Sequence, residues 1–205
     1  MQSTAMKAVP AELTRQVDAG LRYQINPKLN LVAGLFQIDK PYYAIDQALL
    51  FRQLGMVRHR GIELSLAGSV TDSLTLVAGA VFLQPRISDT STGGGTTELT
   101  AVGPIPRLIR VNVQYRPAAV QGLALDAKVE SVSSRYLDVG NSRRLSGAIT
   151  LDAGVRYTTK ISDVPVRFRL QGRNLTNTRS FTPNASTQIR PFEARRFELS
   201  VAADF

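Results

Sequence analysis

Val164-Pro165-Val166-Arg167-Phe168-Arg169-Leu170-Gln171-Gly172-Arg173-Asn174 reads in twos: Val166, Phe168 and Leu170 alternate with Arg167, Arg169, Gln171 and Arg173. Successive side chains of a strand point to opposite faces, so this stretch has one apolar face and one rich in arginine. Its length matters as much as its pattern. Strands of soluble proteins average about 5 or 6 residues, whereas a tilted strand needs about 9 to 11 to cross a bilayer.

The same period repeats on both sides of this segment. Phe197, Leu199, Val201, Ala203 and Phe205 share one face of the last stretch, and Arg196, Glu198, Ser200, Ala202 and Asp204 share the other. Leu123, Leu125, Ala127 and Val129 oppose Asp126, Lys128 and Glu130; Ile62, Leu64 and Leu66 oppose Glu63, Ser65 and Ala67. Nine strands follow from the pattern, over 14–24, 29–39, 56–70, 74–84, 107–116, 123–133, 148–158, 164–174 and 195–205. Their connections alternate between short turns (25–28, 71–73, 117–122, 159–163) and long loops (40–55, 85–106, 134–147, 175–194). Outer-membrane barrels have this asymmetry, with short turns on the periplasmic rim and long loops outside. Alternation alone also fits a soluble antiparallel sheet with one wet face. Tyr23, Tyr115, Tyr157 and Phe205 favour the membrane: each lies on the apolar face near a short-turn end, where an interfacial aromatic girdle would sit.

Composition bounds the chemistry. With no cysteine and one histidine, His59, the chain has no thiolate site, disulfide framework or multi-histidine metal site. No run approaches the ~18 to 20 apolar residues of a membrane helix, a test that does not bear on barrels. The net charge of +9 raises nucleic-acid binding, but the arginines are spread along the whole chain rather than clustered, which argues against it. No catalytic constellation is present, so a non-enzymatic role in binding and passage is expected.

Several motifs resemble one family. Val57-Arg58-His59-Arg60-Gly61-Ile62-Glu63-Leu64, Leu151-Asp152-Ala153-Gly154-Val155-Arg156-Tyr157, Gly172-Arg173-Asn174-Leu175-Thr176-Asn177 and the terminal stretch from Arg196 to Phe205 are similar, in order and spacing, to strands of TonB-dependent siderophore receptors. The resemblance implies an all-β fold: an antiparallel transmembrane β-barrel segment, about nine strands of a 22-stranded barrel, with residues 14–205 in the barrel and 1–13 a poorly ordered lead-in. It further implies an outer-membrane location and uptake of a ferric siderophore energised through TonB. The N-terminal plug that contacts the TonB complex is not recognisable here, so the chain is expected to be a fragment, inactive alone.

The resemblance also implies that iron enters only as cargo, with no resident cofactor. Outer-membrane assembly machinery would meet the C-terminal strand, and lipopolysaccharide would meet outward arginines such as Arg58 and Arg60. Ferric siderophores carry many oxygen acceptors, which arginine donors and aromatic rings suit. The candidates on the long loops are Tyr42, Tyr43, Arg52, Arg135, Tyr136, Arg143, Arg144, Arg179, Phe181 and Arg190. Two alternatives stay open: a porin-like barrel, and a soluble, basic all-β binding module.

Overall fold

Period-two alternation over ten residues suits only the extended chain, and no helix forms among the described residues. The structure, a computed structural model, describes residues 11–46, 48–89, 97–185 and 188–204. Residues 1–10, most of the expected lead-in, lie outside this set, as does Phe205.

Among the described residues fourteen strands follow in chain order: β1 (Arg15–Asn26), β2 (Leu29–Ile45), β3 (Phe51–Ser69), β4 (Leu74–Asp89), β5 (Thr97–Thr100), β6 (Arg107–Tyr115), β7 (Leu123–Val132), β8 (Arg135–Tyr136), β9 (Arg144–Leu145), β10 (Ala148–Ile161), β11 (Val164–Arg173), β12 (Phe181–Ala185), β13 (Gln188–Pro191) and β14 (Arg196–Ala203). Nine of them make one antiparallel sheet in the order β1-β2-β3-β4-β6-β7-β10-β11-β14, with β5 added to β4. These nine are the expected strands. Because neighbours run antiparallel, all four long connections leave from one end of the sheet and all four short turns from the other.

The structure corrects the loop boundaries. Segment 40–55 is mostly strand, since β2 and β3 stay paired to Ile45 and Phe51 around a turn of a few residues. β4 likewise continues past position 84 to Asp89 and recruits β5 from within segment 85–106. The loops between β7 and β10 and between β11 and β14 carry their own hairpins, β8–β9 and β12–β13. Period-two patterning fades in these extensions, because strands above a membrane no longer need a lipid-compatible face.

At the opposite rim the turns are tight. Ser162 and Asp163, at φ 49° and 66°, make the two-residue turn between β10 and β11; left-handed dihedrals at both centres match the twist of a hairpin. Gly122, at φ 80°, closes the β6–β7 turn, where an added Cβ would strike the Thr158 carbonyl oxygen.

Among the described residues nothing covers the apolar face. Among the described residues no side chain is fully buried, and Leu21, Leu35, Leu170, Leu199 and Val201 are all more than half exposed except Leu170, at 50%. The chain exposes 14405 Å², about one and a half times the roughly 9400 Å² expected of a folded globular protein of this mass. A soluble sandwich would bury this face beneath a second layer.

Register places the tyrosines relative to one another. The row of paired residues through Tyr23 on β1 runs Leu31, Leu66, Ala78, Val111, Val129 and Leu151 across to β10. Tyr115 lies four residues below this row on the fourth strand along, and Tyr157 six residues below it on the sixth. At about 3.3 Å per residue and about 4.8 Å between strands, both offsets give a slope of about 35°. Barrel closure demands a strand tilt of ~35–45°. The line through the three tyrosines therefore has the slope expected of one level in a tilted barrel wall. Above that level the same face presents only apolar residues for six residues along each strand, among them Leu21, Ala33, Leu64, Ile109, Val155 and Leu199.

The opposite face is charged. Glu63, Arg110, Glu130, Lys128, Asp126, Arg169 and Glu198 share it by register. Arg110 pairs with Glu130 at 2.6 Å and Arg169 with Asp126 at 3.6 Å. Such a face suits a wide, polar lumen.

Candidate functional site

Three of the four connections at the long-loop end carry the candidate residues. Their geometry sorts them into anchored and available groups.

Arg52 is anchored. Its Nε reaches Asp46 Oδ2 at 2.5 Å. The Asp46 carboxylate also accepts the backbone N–H groups of Ala48 and Leu50 at 2.8 and 2.9 Å. These bonds, led by that from Leu50, hold the carboxyl below the usual carboxylate range. Asp46 thus fixes the β2–β3 turn, and Arg52 neutralises it. Tyr43 stacks on Phe51 with ring centroids 5.8 Å apart, bracing the same hairpin. Tyr42 packs against the cluster of Val57, Ile87 and Ala101. Beside it, a cavity of about 270 Å³ is lined by Tyr42, Lys40, His59 and Val139 among others. His59 shares the lumen face there, its Nε2 buried without a hydrogen-bond partner among the described residues.

Arg143 is tied as well. Asp138 accepts the backbone N–H of Arg143 at 2.6 Å and that of Ser142 at 3.0 Å, and its carboxylate lies 3.9 Å from Arg143 Nε. These two backbone bonds, that from Ser142 first, hold the Asp138 carboxyl below its usual range.

Arg135, Tyr136 and Arg144 are drawn together. β8 pairs with β9 so that Tyr136 faces Arg144, whose guanidinium carbon stands 5.9 Å from the ring centroid. Arg144 also donates to Ser134 Oγ at 2.5 Å. Arg135, partly buried, donates to the Gly103 carbonyl oxygen at 3.5 Å and to Thr182 Oγ1 at 3.4 Å. It therefore joins three loops, and burial lowers its pKa from an ordinary value far above neutrality, which leaves it charged. Among the described residues no carboxylate pairs with Arg135 or Arg144. Arg179 and Arg190 are exposed and form no ion pair there either. Phe181 is 46% exposed at the start of β12. The sequence reading missed Asp46, Asp138 and Asn174, which hold the loops in shape. Asn174 lay inside a quoted motif; the two aspartates carry no pattern beyond turn chemistry.

Tyr23, Tyr115 and Tyr157 are each 41–58% exposed on the apolar face. No cluster of histidine, cysteine or acidic side chains able to hold a metal occurs among the described residues.

The family described as TonB dependent receptor-like, beta-barrel matches residues 6–175, more than four-fifths of the chain. The chain belongs to the TonB-dependent receptors. Members of this family are outer-membrane receptors and transporters rather than enzymes. The ferrichrome receptor FcuA of Yersinia enterocolitica is 29% identical over 94% of this chain, which spans 26% of that protein. BauA, the ferric preacinetobactin receptor of Acinetobacter baumannii, superposes with a TM-score of 0.82 at 31% identity, over 94% of this chain and 29% of BauA. The siderophore receptor PiuA of the same organism has a TM-score of 0.79 at 22% identity, over 92% of this chain and 28% of PiuA, and supports the fold alone. This TonB-dependent receptor chain thus spans between a quarter and a third of these three relatives.

Proposed function

We propose that this chain is the C-terminal wall and outer-loop portion of an outer-membrane receptor for a ferric siderophore. Arg135 carries the reading. A partly buried guanidinium held by a carbonyl and a hydroxyl, with no carboxylate partner among the described residues, retains capacity for an oxygen-rich or anionic ligand. Arg144 and the Tyr136 ring extend this surface with a second charged fork and an aromatic face. FcuA and BauA, named as ferrichrome and ferric preacinetobactin receptors, support the ligand class.

In this reading residues 14–205 supply part of a 22-stranded wall, and iron is cargo with no resident cofactor. Gating and energy coupling through TonB belong to a plug outside this chain, while β14 is the strand offered to the assembly machinery. The isolated chain leaves β1 and β14 each paired on one side only among the described residues, and carries out no uptake by itself.

Uptake of labelled ferric siderophore by cells carrying the complete receptor tests the reading. Arg135→Gln with Arg144→Gln should raise the half-saturating concentration at least about tenfold, the scale of losing one or two charge-assisted bonds. Arg116→Gln, beside a short turn at the far rim, should leave it unchanged. Equal effects at the two ends would refute the proposal.

A further inference from the structure

Lys40, Val57 and Ile87 stand in one row of cross-strand partners on β2, β3 and β4. By alternation their side chains share the lumen face, with Tyr42 one same-face step above the row and His59 one below. Beside β4 the chain then departs from regular pairing. Ala101 N–H bonds the Pro85 carbonyl oxygen at 2.8 Å, and Leu83 N–H bonds the Pro106 carbonyl oxygen at 2.7 Å. Residues 102–105 therefore stand opposite Gln84 alone, an extended bulge between β5 and β6. Val102 and Pro104 of this bulge line the 270 Å³ cavity together with the floor residues, so the bulge leans to the lumen side. Two contacts hold it there. The Asn141 side chain clasps Thr100, accepting its N–H at 2.8 Å and donating to its carbonyl oxygen at 2.9 Å, and Arg135 reaches the Gly103 carbonyl oxygen at 3.5 Å.

The chemistry of the lining selects a ligand. Val57, Ile87 and Ala101 are buried and apolar, and Val139 adds an apolar edge from the β8–β9 turn. Among them Lys40 forms no ion pair within the described residues, because its neighbour Asp39 points to the other face and is taken by Arg58 at 2.6 Å. A cation beside apolar walls favours an anion with an apolar body. Tyr42 and His59 add two aromatic side chains, which suit a planar ring. Size narrows the choice further. An apolar cavity of about 150 Å³ holds benzene, so 270 Å³ admits one substituted ring with its acidic group. A whole ferric chelate, with several donor groups around the metal, does not fit.

We infer that this cavity is a separate ligand site for a small monocyclic aromatic acid of the benzoate class, with Lys40 taking the carboxylate and the 102–105 bulge covering the ring. The site uses neither Tyr136 nor Arg144, and Arg135 meets it only through the Gly103 carbonyl oxygen. It stands whether or not the receptor carries a ferric siderophore.

The test titrates benzoate into the complete receptor in detergent, with saturation-transfer NMR as the readout and heat-resistant gel migration as a separate check of folding. Benzoate should bind saturably, while acetate, which lacks the ring, and benzyl alcohol, which lacks the charge, should each bind at least about tenfold more weakly. Lys40→Met should weaken benzoate at least about tenfold, the scale of one lost charge-assisted bond, and Lys40→Arg should restore most of that loss. Val139→Phe, at a residue 42% exposed and so tolerant of substitution, should fill the cavity and abolish binding with folding intact. Arg116→Gln at the far rim should change nothing. No saturable benzoate binding, undiminished binding in folded Lys40→Met or Val139→Phe, or equal binding of acetate would overturn the inference. So would entry of a ring only as the arm of a ferric siderophore, which would assign the cavity to the chelate. Loss of siderophore uptake in the Arg135 and Arg144 variants is read independently, so either reading can fail alone.

Discussion

The side-chain amide of Asn174 donates to the Glu193 carbonyl oxygen at 2.9 Å, joining the two ends of the last long loop across 19 residues. The same amide donates to the Thr178 carbonyl oxygen at 3.0 Å, and Asn174 Oδ1 accepts from Thr178 N–H at 2.9 Å. Its own backbone N–H reaches Asp152 Oδ1 on β10 at 2.8 Å. Asn174 is 6% exposed, with φ 48°, a left-handed conformation that asparagine tolerates better than most residues. The asparagine in this family-like motif is therefore the clasp of the β11–β14 loop.

Asn174→Ala removes those side-chain bonds and keeps the unfavourable dihedral. It should destabilise the loop base by about 2–3 kcal/mol, the cost of orphaned buried partners plus left-handed strain. Hydrogen exchange at the Asn177 amide, which donates to the Asn174 carbonyl oxygen at 2.8 Å, reads this locally. Unchanged protection there would show that the clasp is dispensable.

Gly61 explains another motif position. The Phe36 ring lies over it, and an added Cβ would stand 2.8 Å from the Phe82 carbonyl oxygen. Gly61→Ala should cost about 1–3 kcal/mol through overpacking. Thermal loss of the heat-resistant barrel band measures this, and no shift would mean that the ring relaxes freely.

The β8–β9 hairpin should open in acid. The Asp138 carboxyl is held below its usual range by backbone N–H groups that exist only in the folded hairpin. A depressed folded pKa contributes stability above the unfolded value of about 3.9, and that stability fades as pH falls through the lower folded value. Protection of the Leu137 amide, bonded to the Arg143 carbonyl oxygen at 2.9 Å, should be constant from neutral pH down to about pH 4 and then drop. Asp138→Ala should lack protection throughout. A wild-type hairpin that stays protected at the acid extreme would contradict this.

Much of the fold is legible in the sequence, because a membrane imposes strict alternation: Phe168 and Leu170 must meet lipid while Arg167 and Arg169 must not. The nine strands and the rim that carries each loop follow from that constraint. What escaped is the structure above the membrane. There Tyr42 and Tyr43 continue a strand without needing alternation, and Arg135–Tyr136 forms a two-residue strand too short to leave a pattern. The candidate loop residues were visible as types, but their partners were not. Nothing local in the sequence tells that Arg52 is committed to Asp46 while Arg135 reaches Gly103 and Thr182 across two other loops.

Leu170→Arg near mid-band should destabilise the barrel by about 2–4 kcal/mol. The central claim, that this face meets lipid, has a more direct test along β11. The chain has no native cysteine, so single cysteines introduced by Val166→Cys, Arg167→Cys, Phe168→Cys, Arg169→Cys, Leu170→Cys and Gln171→Cys report without background. In the complete barrel within an outer membrane, a water-soluble maleimide should label positions 167, 169 and 171 and spare 168 and 170, which a lipid-soluble probe should reach instead. Aqueous labelling at 168 and 170 as strong as at 167 and 169 would contradict the account.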